Sequence, residues 1–156
     1  MNIQKHILVK NFLFVTGLVV TSLALAHGGA EGVVKARMDG MSAMGKAMKS
    51  IVKEIKSRSE LDTAAIYQSS QIVVKHSSMI PKMFKEESIE GPSEALPKIW
   101  VQWDDFSALA VKTQDEAEKL GGLANEGADK KQLMKQFAAV GKTCKGCHTD
   151  YRIAKD

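Results

Sequence analysis

Residues 143–152 read Thr143-Cys144-Lys145-Gly146-Cys147-His148-Thr149-Asp150-Tyr151-Arg152, close to the C-terminus of a 156-residue chain, and they hold its 2 cysteines. Cys-x-x-Cys-His is the attachment signature of a c-type haem. Each thiol adds to one haem vinyl group as a thioether. Three residues apart on a helix, Cys144 and Cys147 share a face and can reach one porphyrin edge. His148 follows the second thioether, where its imidazole can meet the iron. The pattern therefore points to one covalently attached haem c, with Cys144 and Cys147 as anchors and His148 as an iron ligand. Three other uses of paired cysteines stand beside it. A thiol–disulfide oxidoreductase places Cys-x-x-Cys at a helix N-terminus after a strand, whereas no strand pattern precedes this one. Structural zinc needs further ligands at metal spacing, and His27 and His76 have no partner close in sequence. A local disulfide would need no histidine.

The stretch ends a helical period. Leu133, Phe137, Val140, Cys144, Cys147 and Tyr151 step by three and four residues behind Asp129, a good N-cap. Three more stripes precede it. The first holds Val34, Arg37, Met41, Met44, Met48, Ile51 and Ile55. The second spans residues 61–84, with Ile66, Ser69, Val73, His76 and Ile80. The third opens near Pro97, a residue suited to a first turn, and carries Ile99, Trp103, Phe106, Ala110, Thr113, Ala117, Leu120 and Ala124. Turn chemistry falls at residues 57–59, at residues 86–95 around Gly91-Pro92, and at Asn125-Glu126-Gly127. Gly121-Gly122 should weaken the third helix. The prediction is an all-α, antiparallel four-helix bundle.

The other end of the chain reads as an address. Lys5, His6 and Lys10 precede an apolar run over residues 12–25, and Ala24-Leu25-Ala26 supplies a cleavage site. The run is shorter than the roughly 20 residues that span a bilayer, so residues 1–26 are expected to be a signal peptide, cleaved after Ala26, rather than a membrane anchor. Residues 27–156 then form one exported, periplasmic domain. Without Lys5 and Lys10, 20 basic residues face 18 acidic ones, leaving a net charge of +2. No basic stripe with interleaved aromatics marks a nucleic-acid surface. His27 would become the new N-terminus, where its amine and imidazole could chelate copper.

With a haem placed, the first helix gains meaning. Arg37 lies within an apolar stripe, where a charge needs a partner. A haem propionate can accept two parallel hydrogen bonds from a guanidinium. Met38, Met41, Met44 and Met48 are dense, and methionine commonly fills cores. One of them could cap the iron opposite His148, an arrangement that raises the reduction potential. His76 reads as a core or rim histidine rather than an iron ligand.

Three segments together resemble the class II cytochromes c, the group of cytochrome c prime and its low-spin relatives. They are VVKARMDGMSAMGKAMKSI over residues 33–51, LPKIWVQWDDF over residues 96–106 and VGKTCKGCHTDYR over residues 140–152. The C-terminal placement of the haem motif is specific to that group. The resemblance implies a haem held between the first and last helices, thioethers at Cys144 and Cys147, and His148 as proximal ligand. It implies propionate binding by Arg37 and Arg152, with Met41 at the distal position and Met38 beside it. In the low-spin relatives a distal methionine binds the iron. The expected function is therefore a small one-electron carrier with a His/Met-ligated haem, serving redox partner proteins. The alternative is a five-coordinate haem protein that binds nitric oxide or carbon monoxide. A homodimer through the first two helices fits either. No enzyme activity is expected, because a peroxidase needs a distal acid–base group and the residues around Met41 include no histidine.

Cys147→Ala should lose part of its covalently retained haem in a denaturing gel stained for haem, and His148→Ala should change the iron's spin state in the absorption spectrum. Full retention and an unaltered spectrum would sink both assignments.

Overall fold

The computed structural model describes residues 29–154; the predicted signal peptide and His27 lie outside them. The chain forms α1 (Gly32–Lys56), α2 (Thr63–Met83), a short α3 (Lys98–Val101), α4 (Trp103–Asn125) and α5 (Lys130–Tyr151). The four long helices make the expected four-helix bundle. Among the described residues the only β pairing is an isolated antiparallel bridge between Ala95 and Arg152.

Local chemistry sets the helix ends. Asp62 caps α2 by accepting from the Ala65 amide at 2.9 Å. Asp129 caps α5 as expected, and Gln132 reciprocates to close a capping box. Lys130 Nζ then donates to the carbonyls of Ser57 and Ser59 at 2.6 and 3.2 Å, tying the start of α5 to the end of α1.

Two expectations for the third stripe are corrected. The third stripe is not one helix: it breaks at Gln102 (φ −119°, ψ 47°) into α3 and α4. The break keeps its hydrogen bonds, since the Gln102 amide donates to Lys98 and its carbonyl accepts from Phe106. It also turns Trp103 and Phe106 toward the same aromatic layer as Phe84 and Tyr151. Gly121-Gly122, in turn, leaves α4 intact. A Cβ on Gly121 would lie 3.1 Å from Gln71 Nε2 and 3.4 Å from Ser70 Cβ, so the glycine lets α2 and α4 approach closely.

The buried face of α2 also differs from the predicted stripe. Ser70 and Ser77 are fully buried, while His76 is half-buried and packs against Gly40 of α1. Serine is tolerated here because each hydroxyl donates to the carbonyl four residues back, at 2.8 Å.

Two apolar clusters result. Ile51, Ile66, Leu120, Leu133 and Val140 anchor one. Ile80, Phe84, Ile99, Phe106 and Tyr151 anchor the other. Contact is dense between α2 and α4, α1 and α2, and α4 and α5, but sparse between α1 and α5. That pair frames the opening described next.

Leu120, at 0 % exposure, should be a keystone: Leu120→Ala is expected to lower unfolding free energy by about 2–5 kcal/mol, read by denaturant titration. Glu116 accepts from Lys119 at 2.8 Å and from Gln136 of α5 at 2.6 Å. Those hydrogen bonds lower its pKa, so its stabilising contribution is present above the unfolded carboxylate value of about 4.3 and is lost as pH falls through the folded value. The stability gap between wild type and Glu116→Gln should therefore be largest near neutrality and close in acid.

Candidate haem site

A cavity of about 440 Å³ opens between α1, α5 and the α2–α3 connector, residues 84–97. That volume lies within the roughly 300–1,000 Å³ common for cofactor pockets. The first helix supplies Val34, Arg37, Met38, Met41 and Ser42; α5 supplies Cys147, His148 and Tyr151, with Arg152 just beyond. Phe84, Ile99 and Phe106 add apolar wall, and Pro92, Ser93, Glu94 and Ala95 close one side.

The helical period brings these residues together. Arg37 and Met41 lie one turn apart on α1, while Cys147, His148 and Tyr151 share the last turn of α5. Phe106 forms the floor. Its ring lies 5.1 Å from Phe84 and 5.3 Å edge-on from Tyr151.

Cys147 and Cys144 are free thiols. Burial raises the pKa of both. The Cys147 thiol is pushed up to about 11, first by burial and then by Cys144 and Asp150. The two face different surroundings. Cys147 lines the cavity and packs on its aromatic cluster, whereas Cys144 packs against the other cluster, among Met44 and Met48. The motif thus straddles the seam between dense core and cavity.

His148 stands at the cavity wall on the exposed side of α5. Partial desolvation and the Arg152 charge lower its pKa, against Glu94, which raises it. The neutral imidazole that metal ligation needs is therefore favoured. Arg152 Nε is buried with no hydrogen-bond acceptor and lies 3.9 Å from Glu94 Oε2.

Arg37 is 3 % exposed. Its Nε donates to the Met83 carbonyl at 3.0 Å, Nη2 to Glu86 at 2.6 Å, and Nη1 to Ser88. The guanidinium also sits 4.3 Å from the Phe84 ring centroid. Three of its five N–H groups are thereby engaged, leaving two. Sequence reasoning missed these carbonyl partners, since a backbone acceptor leaves no mark on residue identity. It read residues 86–95 as a loop; the one available signal was length, because long structureless connections are often functional.

Met38 and Met41 both reach the cavity, whereas Met44 lies between the two clusters. His148 is the one histidine on the cavity wall among the described residues. Nor does any group of three or more His, Cys, Asp and Glu side chains among them form a metal cluster of the zinc kind.

The donor set fits a c-type haem. An apolar macrocycle matches the aliphatic and aromatic walls, the Cys147 thiol and the His148 imidazole line the cavity from one helix end, and Arg152 Nε, without a hydrogen-bond partner, suits a carboxylate.

The family model described as Cytochrome C' matches residues 32–152. A cytochrome c' from Pararhodospirillum photometricum is 34% identical over 123 residues, covering 78% of this chain and 97% of that protein. A cytochrome c-556 from Agrobacterium fabrum is 30% identical over 126 residues, covering 81% and 84%. The solved cytochrome c' of Rhodopseudomonas palustris superposes with a TM-score of 0.73 at 29% identity, covering 81% of this chain and 100% of that one. A nitric oxide complex of a mutant cytochrome c prime from Alcaligenes xylosoxidans gives 0.69 at 28% identity, covering 78% and 94%. The matches bear out the expected kinship and a single, covalently attached c-type haem.

Proposed function

Because the chain belongs to the cytochrome c' family, we infer that it is an exported, periplasmic haem protein that binds a small diatomic gas, nitric oxide or carbon monoxide, without catalysing a reaction. The observation that carries this reading is a relative, 28% identical, solved with nitric oxide. The kinship backs the gas-binding alternative better than the His/Met electron carrier expected from sequence.

Haem supplies the iron that takes the gas. The chain does the rest. The thiols of Cys144 and Cys147 would hold the group as thioethers. His148, whose pKa is lowered by partial desolvation and the Arg152 charge, would supply a ligating nitrogen. Arg152 and the two spare N–H groups of Arg37 would meet the propionates. Val34, Met38, Met41 and Phe84 supply apolar wall, which suits a small neutral ligand. With three of its donors taken by carbonyls, Arg37 is poorly placed as a polarising group, and among the described residues the cavity wall offers no second histidine as acid–base group. That supports the non-catalytic reading. A homodimer through α1 and α2 belongs to the same proposal, and α2 carries Tyr67, Ile72 and Met79 exposed at 40–42%.

One observation supports the electron-carrier reading: Met41 lines the cavity from α1 while His148 lines it from α5. If the thioether capped the iron, the protein would serve redox partner proteins instead. An absorption spectrum of the reduced protein with and without carbon monoxide separates the two. The expected result is a broad visible band that shifts with the gas, and a gas-free spectrum of Met41→Leu that matches wild type. Sharp α and β bands, unmoved by the gas and lost in Met41→Leu, would establish the carrier.

A further inference from the structure

The α2–α3 connector has no helix of its own, yet it is tied at both ends. At its start, Arg37 reaches across from α1 to the carbonyls of Met83, Glu86 and Ser88. Its guanidinium stacks on Phe84, and Trp100 Nε1 donates to the Phe84 carbonyl at 2.7 Å. At its end, the Leu96 amide donates to Tyr151 at 3.0 Å and the Ile153 amide to Glu94 at 2.8 Å. Between the ties lies a tip with Ile89 at 44% exposure and Gly91 at φ +65°. Pro92, Ser93, Glu94 and Ala95, just past that tip, form cavity wall. One wall of the cavity is therefore a strap of backbone, and Arg37, with one further bond from Trp100, fixes how the strap begins.

We propose that Arg37 is a positioning residue that holds this strap as the entry wall of the haem cavity and so sets how fast a small neutral ligand enters. The proposal rests on the gas-binding reading. A planar guanidinium can address three carbonyls at once, which fixes their relative orientation. Without it those carbonyls must turn to water, and the strap swings from the cavity. Lysine, with one nitrogen, cannot span all three.

The test uses haem-loaded protein and two variants, Arg37→Lys and Trp100→Phe. Trp100 lies outside the cavity wall, and its substitution removes one strap hydrogen bond, so it stays informative should Arg37→Lys fail to fold. Hydrogen exchange of the amides in residues 85–93 is read first. It should rise about tenfold in Arg37→Lys, as expected when a local tie is lost, and less in Trp100→Phe. Carbon monoxide association and dissociation are then timed after flash photolysis and by ligand replacement. Both rates should rise together in each variant, and in Trp100→Phe, whose side chain lies outside the cavity wall, affinity and the gas-free spectrum should stay unchanged. A gate moves both rates alike, whereas a damaged haem pocket shifts affinity or spectrum. Faster strap exchange with unchanged gas rates overturns the gate. Unchanged exchange overturns the clamp. Wild-type protein that takes no carbon monoxide overturns the gas-binding reading and the gate together, and exchange alone then decides whether Arg37 holds the strap.

Discussion

A guanidinium buried to 3 % exposure needs acceptors, because a desolvated charge without hydrogen bonds is among the most unfavourable features a fold can contain. Burial lowers the pKa of Arg37, and the Glu86 carboxylate works against that shift. The acceptors it finds are the Met83 carbonyl at the end of α2 and the Glu86 and Ser88 carbonyls of the α2–α3 connector. Much follows from that choice. The connector is drawn over the end of the bundle, Phe84 is held under the guanidinium and against Phe106, and a cavity wall is built from backbone where helices alone would leave an open cleft.

The bundle is asymmetric along its length. Toward the Lys130 tie, small and aliphatic side chains interlock, and Gly121 allows α2 and α4 to close on each other. Toward the cavity, aromatic rings take over, and α1 and α5 part. Cys144 and Cys147 sit on either side of that change. Dense packing behind Cys144 gives the motif a rigid footing, while the cavity beside Cys147 and His148 leaves room for a large prosthetic group. Rigidity next to space is what a site needs if its ligands are to be preorganised.

Much of this was legible in residue order. Stripes at three- and four-residue spacing marked every long helix, and Asp129 marked the start of α5, because an amphipathic helix must repeat its apolar residues and an unsatisfied first turn invites a carboxylate. The stripes misled at Gln102 and at His76 for a shared reason. Periodicity reports which positions could face inward, but the neighbour opposite decides which do. Ser70 is buried where Gly121 lets α4 come close, whereas half-buried His76 packs against Gly40 of α1. The resemblance put Met41 at the distal position with Met38 beside it, and both line the cavity.

By itself the sequence determined the helical class and the positions of the long helices, and it pointed to a haem through Cys144, Cys147 and His148, since each depends on residues near one another along the chain. Tertiary structure alone decided the rest: the break at Gln102, the close approach at Gly121, the parting of α1 from α5, and the strap held by Arg37. Those depend on contacts such as Arg37 to Ser88, 51 residues apart, whose acceptor is a carbonyl that every residue carries. A donor that pairs with backbone leaves its partner unspecified by residue type, so only the folded chain can say where it lands.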